Sequence, residues 1–406
     1  MFLVAAPCIR RPSFGQYEQV GPGLAVQFCL EANPPSVLYR WLPDGRLHFL
    51  GFTSMDPTFA NRRNLFVIFR WLLVATQSAT ILTTWPLWNV RTSPPMLPVW
   101  NGPPISFGLL LLASLAVILF RPRLGIILHS AMLLAAMSLD QMRLQPEFIS
   151  QAILLWGTLP SRTARLICRA HLIALWFFAG FHKLLCPGFY SGDAHWLVTS
   201  FFPGASPALS TFVGLVIAVS EISLAVMALL PTMRAYAVRL AYALHLGIVC
   251  ILIFGLQWDE AVWAWNLALA VAGQVMIGSW KGELKLDFRR LKLVSRGAVA
   301  FILIGPFAYY PGLLDTYLCH VLYSNHAPVA WIRHADGQAE FVDTRPQLKV
   351  PVPQIHRLYE AHFQAIAEPG DRLEIFDPRV WYRWRRIDQR VITYESVSKH
   401  PARAAN

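Results

Sequence analysis

Long apolar stretches alternate with short polar joints through the first three quarters of the chain. Nine of them approach the ~20 mostly apolar residues that a helix needs to cross a bilayer. They fall at 64–84, 106–120, 124–139, 147–159, 164–185, 208–230, 233–255, 261–279 and 297–313. The second, third and fourth are short, and the fourth, EFISQAILLWGTL, could re-enter the membrane instead of spanning it. After residue 313 the period changes. PVAWIRHADGQAEFVDT alternates apolar and polar positions around Asp336-Gly337, which predicts a hairpin, and VPQIHRLYEAHFQAIAE has helical spacing. RVWYRWRRIDQRVITY is a further strand candidate. The pattern predicts an all-α polytopic membrane protein of about nine transmembrane helices with a small α/β extracytoplasmic C-terminal appendage. Its parts are an N-terminal segment (1–63), a helical membrane domain (64–313) and the appendage (314–406).

Composition supports the membrane reading: 55% of the 406 residues are hydrophobic and 14% are charged, against roughly a quarter charged in soluble domains. A net charge of +12 invites a nucleic-acid reading. The basic residues are scattered between apolar segments instead of forming a stripe with stacking aromatics, so nucleic acid is not expected as a partner. The six cysteines show no CxxC and no repeated spacing, so neither a metal site nor a disulfide framework is indicated. The N-terminal MFLVAAPCIRRP places its charges after a short apolar run, the reverse of a secretory signal. No internal repeat of the transporter kind is visible.

Charge then orients the helices. If all nine segments cross, fifteen Lys and Arg of the short joints gather on one side, and only Arg91, Arg143 and Lys183 on the other. The first side is therefore expected to be cytoplasmic, with the N-terminus inside and the appendage outside.

Polar residues at bilayer depth are costly and usually paired. Measured from the Pro231-Thr232 turn at about 1.5 Å per residue, Glu221 lies about 15 Å deep, Arg239 about 10 Å and His245 about 20 Å. Glu221 is expected to pair with Arg239 or His245, either as a structural ion pair or as part of a proton path. Arg70 can snorkel to its helix end. His129 and His171 suit core positions, and Trp263 and Trp265 an interfacial belt, with Asn266 facing inward.

The most unusual stretch is LIALWFFAGFHKLLCPGFYSG, in which His182 and Lys183 follow ten uncharged residues. Lys183 lies about 21 Å along the helix from Arg169, at the outer leaflet. Loops on that side carry Asp140, Glu147, Asp193, Asp259 and Glu260. Lys183 is either an anchor at a helix end or a base whose amine is desolvated by Trp176, Phe177, Phe181 and Trp196.

FFAGFHKLLCPGFYSG, Phe177 to Gly192, resembles the A-G-x-x-K-L segment of the HTTM domain, the membrane part of the vitamin K-dependent gamma-carboxylase family and its bacterial relatives, which border the DoxX-like families. SLDQMRLQPEFI (138–149), HLGIVCILIFGLQWDEAVWAWNLALA (245–270) and LDTYLCHVLYS (314–324) agree with it. The resemblance covers roughly residues 60–325. It implies that Lys183 is the base that deprotonates a reduced quinone. The family has a second lysine where this chain has His182, and a histidine in the region that here offers Gln145, Pro146 and Glu147. The expected activity is redox or proton-transfer chemistry on a membrane-soluble quinol-type molecule at the outer face. Lys183 is the candidate base and His182 the relay. Asp140, Glu147 and Asp193 would orient them or bind a polar head group, and Trp176, Phe181, Trp196 and Asn266 would line the ligand. The rival expectations are a membrane scaffold that binds a protein partner through the appendage, and a transporter.

Overall fold

The computed structural model describes residues 25–27, 36–41, 47–53, 57–100, 102–379 and 390–395. The chain divides into two compact units, Met1–Asn64 and Leu65–Asn406. Within the first, β1 (Ala25–Gln27), β2 (Ser36–Trp41) and β3 (Leu47–Thr53) form an antiparallel sheet in the order β1-β2-β3. The hydrophobic pattern does not predict this sheet.

The second unit is a helical bundle. Every apolar segment forms a helix: α1 (Pro57–Thr83), α2 (Gly108–Phe120), α3 (Pro122–Leu139), α4 (Pro146–Gly157), α5 (Arg162–Leu185), α7 (Pro207–Leu229), α8 (Arg234–Cys250), α9 (Trp263–Ala272) and α10 (Leu293–Ile304), with the short α6 (Asp193–Phe201) between α5 and α7. Wider helical turns extend α8 to Leu256 and α9 to Gly278.

Six of these helices are long and apolar enough to cross a membrane, which makes this a multi-pass membrane protein. The expected nine is not reached on length. At about 1.5 Å per residue, the 12 residues of α4 rise only about 18 Å, against a hydrocarbon thickness of about 30 Å. α2 and α10 are short as well. Most of α4 is buried in protein, including Phe148, Gln151, Leu154 and Leu155, so its polar groups are shielded from lipid. Its two ends nonetheless lie at opposite ends of the bundle. Gln145, just before it, donates from Nε2 to the Pro351 carbonyl in the appendage at 2.9 Å, while Thr158, just after it, accepts from Arg70 Nε at 3.1 Å.

α5 is the most enclosed long helix, with 72% of its apolar stretch buried against 28% for the Pro231–Leu256 stretch that contains α8. Gly180 lets α7 come close: a Cβ there would stand 2.5 Å from the Ala218 carbonyl oxygen. The C-terminal end of α5 therefore lies against the middle of α7.

The appendage packs on the end of the bundle that carries Gln145, Trp258 and Thr316. Thr316 Oγ1 donates to the Gln354 carbonyl at 2.7 Å, Lys349 pairs with Glu260 at 3.4 Å, and the Arg345 guanidinium lies over the Trp258 ring. The predicted hairpin is present: β4 (Val329–Arg333) and β5 (Ala339–Phe341) pair antiparallel around Gly337, whose φ of +88° a side chain would oppose. β6 (Arg372–Asp377) and β7 (Arg390–Glu395) complete a four-stranded antiparallel sheet in the order β5-β4-β6-β7. α11 (His356–Ile366), the predicted helix, buries Leu358, Tyr359, His362 and Phe363. Of the strand candidate at 379–394, residues 390–394 lie in β7, and 380–389 are outside the described residues.

Candidate functional site

Lys183 is buried near the end of α5. Its Nζ donates to both carboxylate oxygens of Glu221 on α7, at 2.9 and 3.0 Å, and to the Ala179 carbonyl at 3.4 Å. The expected partners of Glu221 are therefore corrected. Arg239 is exposed and lies beside Tyr236, and His245 is engaged elsewhere. Depths counted from the Pro231 turn compared α7 with α8, whereas the close approach at Gly180 brings the end of α5 to Glu221 instead.

His182, one residue earlier, points to a different neighbour. Its Nε2 donates to the Cys319 carbonyl at 2.9 Å, which leaves Nδ1 to accept from the Tyr310 hydroxyl at 2.8 Å. Both ring nitrogens are used, and neither reaches Lys183.

The remaining candidates belong to separate groups. Asp140 pairs with Arg91 at 2.6 Å and accepts from the Leu97 and Met142 amides. Arg143, beside it, donates to the Leu87 and Ala136 carbonyls. This cluster ties the loop after α1 to the end of α3. Glu147 is buried in the first turn of α4. Asp193, at the start of α6, has its carboxyl pushed up by burial, with the Lys183 charge opposing the shift.

Trp176 and Asn266 are joined through His245. Trp176 Nε1 donates to His245 Nε2 at 2.9 Å, so Nδ1 carries the proton and donates to Asn266 Oδ1 at 2.9 Å. Phe181 stacks on Phe177, and Trp196 packs edge-on against Trp258. The aromatic ring near the Lys183 amine is that of Phe189, 6.0 Å away, rather than any of the four aromatics expected.

A void lies on another side of α5. A cavity of about 110 Å³ is bounded by α4, α5, α10 and the segment after α10. Pro146, Ile149, Ser150, Ile153, Leu175, Phe301, Ile302 and Leu318 give it mostly apolar walls, and His171, His320 and Tyr317 supply polar groups. The His171 and His320 rings stand 5.3 Å apart. His171 Nε2 shares a hydrogen bond with Ser150 Oγ at 2.8 Å. Neither ring nitrogen of the buried His320 has a hydrogen-bond partner among the described residues. Burial, with His171 and His182 nearby, holds the His320 pKa well below the ordinary histidine value. Its backbone is left-handed, with φ of +57°, and this turns the ring back into the bundle. For a residue with a Cβ that conformation costs about 1–2 kcal/mol. Phe301 and Leu318 are more than half exposed, so the cavity rim is apolar.

Sequence reasoning placed His171 in the core and did not select His320. The two are far apart in the chain and meet only because the segment after α10 folds back. The hint available in sequence was a histidine within an otherwise apolar helix. Among the described residues, no group of three or more His, Cys, Asp or Glu is placed to hold a metal ion. No family model matches the chain, and neither a curated protein nor a solved structure matches it.

Proposed function

We propose that the cavity between α4, α5 and α10 binds the polar ring of a membrane-soluble quinol-type molecule, and that His171 and His320 exchange hydrogen bonds with its hydroxyl. The observation that carries this reading is the pairing of an apolar-rimmed void with a buried imidazole whose nitrogens have no partner. A ring nitrogen that faces the cavity can donate to or accept from a ligand hydroxyl placed there. A volume of about 110 Å³ is below the ~300–1,000 Å³ typical of sites that enclose a drug-sized molecule. It suits one ring, with the tail left in lipid beyond Phe301 and Leu318. In this proposal the three short helices are counted as crossings with the six long ones, and the asymmetry of basic residues then puts the appendage outside the cytoplasm.

The resemblance to the HTTM segment supports a second location for the base, Lys183. The ion pair with Glu221 counts against it, because a carboxylate on the amine favours the charged form, which has no lone pair to use. The two locations are separated by titrating detergent-purified protein with a short-chain benzoquinol and reading adducts by native mass spectrometry. His171→Leu and His320→Leu are expected to weaken binding about tenfold each, the scale of one lost buried hydrogen bond. Lys183→Met combined with Glu221→Leu is expected to leave it unchanged. Undiminished binding in both histidine variants would reject the cavity.

A further inference from the structure

We infer that the groove formed by Arg70, Arg121 and Arg123, at the end of the bundle opposite the appendage, binds the phosphate of an anionic phospholipid. The groove lies where the α2–α3 joint meets α1 and the α4–α5 joint, and encloses about 430 Å³. No acidic side chain lines it. Arg121 and Arg123 are exposed and make no side-chain hydrogen bond or ion pair with any described residue. Arg70 is fixed by Thr158, to whose hydroxyl and carbonyl it donates at 3.1 and 3.3 Å, and so contributes a positioned charge. Three guanidiniums around one open space, without a counter-ion from the protein, call for an anion, and a guanidinium matches phosphate oxygens in pairs.

The surrounding apolar side chains decide which anion. Phe120 is 81% exposed and Leu124 is 53% exposed, and both line the groove with Leu159. A free inorganic phosphate would leave them bare. A phospholipid would lay its acyl chains along them while its head group reaches the arginines at the helix ends. Basic pockets between transmembrane helices take lipid head groups in this way. The site is independent of the histidine cavity and of the function proposed for it.

The test uses the full-length protein in detergent. It is titrated in parallel with short-chain phosphatidylglycerol, phosphatidylcholine of the same chains, and inorganic phosphate, with binding read by native mass spectrometry and by melting temperature. Phosphatidylglycerol is expected to bind about tenfold more tightly than phosphatidylcholine, and Arg121→Gln with Arg123→Gln to remove most of that difference. Arg121→Lys with Arg123→Lys keeps the charge without the paired donors and is expected to retain part of the preference, which guards against a folding defect in the glutamine variant. Equal affinity for the two lipids, an unchanged preference in the glutamine variant, or phosphate binding as tightly as the anionic lipid would each overturn the assignment.

Discussion

On one side of α5, Lys183 is held by both oxygens of Glu221 against α7, at a place where Gly180 leaves no room between the backbones. On another side, the same helix faces α4 and α10 across a void, with His171 and His320 at its wall. Both contacts bury polar groups. In the first they saturate one another, and the gap is closed. In the second, His320 is left with unused nitrogens beside empty space. Polarity at membrane depth therefore does not identify a site by itself. What distinguishes the two seams is whether the polar atoms are already satisfied and whether a ligand has room to satisfy them.

The largest effect that would break this comparison concerns the closed seam. Removing one member of a buried pair strands the other charge, at a cost of about 3–5 kcal/mol. Lys183→Met should therefore lower the unfolding free energy in detergent by that amount. Lys183→Met with Glu221→Leu should recover all but about 1 kcal/mol, because two apolar side chains then fill the seam. Equal losses in the single and double variants would mean that the pair does not hold α5 to α7.

The appendage offers a satisfied pair outside the bundle for calibration. Burial pushes the Asp377 carboxyl up, but hydrogen bonds from His356 and Arg379 outweigh it and hold the pKa at about 2. Because the folded value lies below the unfolded value of about 3.9, the carboxylate stabilises the fold fully above that pH. The contribution is lost as pH falls through about 2. Asp377→Asn should cost about 2 kcal/mol at pH 7 and little at pH 2, measured by chemical unfolding at each pH. A constant cost across that range would point to packing rather than charge.

Asp259 has the opposite sign. It sits in a left-handed conformation and accepts a hydrogen bond from the Tyr323 hydroxyl. Burial raises its pKa to about 6, against the lowering effects of Tyr323 and Arg345. The folded value then exceeds the unfolded one, so stability falls as pH rises from about 4 and the full penalty is present above about 6. Asp259→Asn, which tolerates the same backbone, should raise stability by about 2–3 kcal/mol at pH 7 and have no such effect near pH 4. Melting curves at the two pH values check this, and destabilisation at pH 7 would contradict it.

Helix positions were largely legible in the sequence because an apolar run is a local property. Segments expected at 164–185 and 208–230 form Arg162–Leu185 and Pro207–Leu229. The shortness of α4 was visible too, although its enclosure by neighbours was not. The partner of Glu221 could not be read, because counting residues from a turn gives depth along one helix and says nothing of how a third helix is staggered against it. The cavity was hidden for a related reason. His320 follows the last apolar segment and was expected to lie beyond the membrane domain, but its left-handed backbone returns the ring to His171. Residues whose partners lie in the same or the next helix can be inferred from spacing. Those brought together by a chain reversal after α10 cannot.

The smallest stability effect tests the open seam. Ile153 lines the cavity and is only half-buried, so its side chain has space in front of it. In a packed core an enlarged side chain costs about 1–3 kcal/mol through strain. Here Ile153→Phe should cost less than about 1 kcal/mol, because the added atoms enter a void and gain contacts. The same ring would occupy the space in front of His171 and His320, so benzoquinol binding should fall below detection while the melting temperature hardly moves. A large loss of stability would show that the void closes in solution and that both seams of α5 are packed alike. Full retention of binding would place the ligand elsewhere, and the difference between the two sides of α5 would then be one of packing alone.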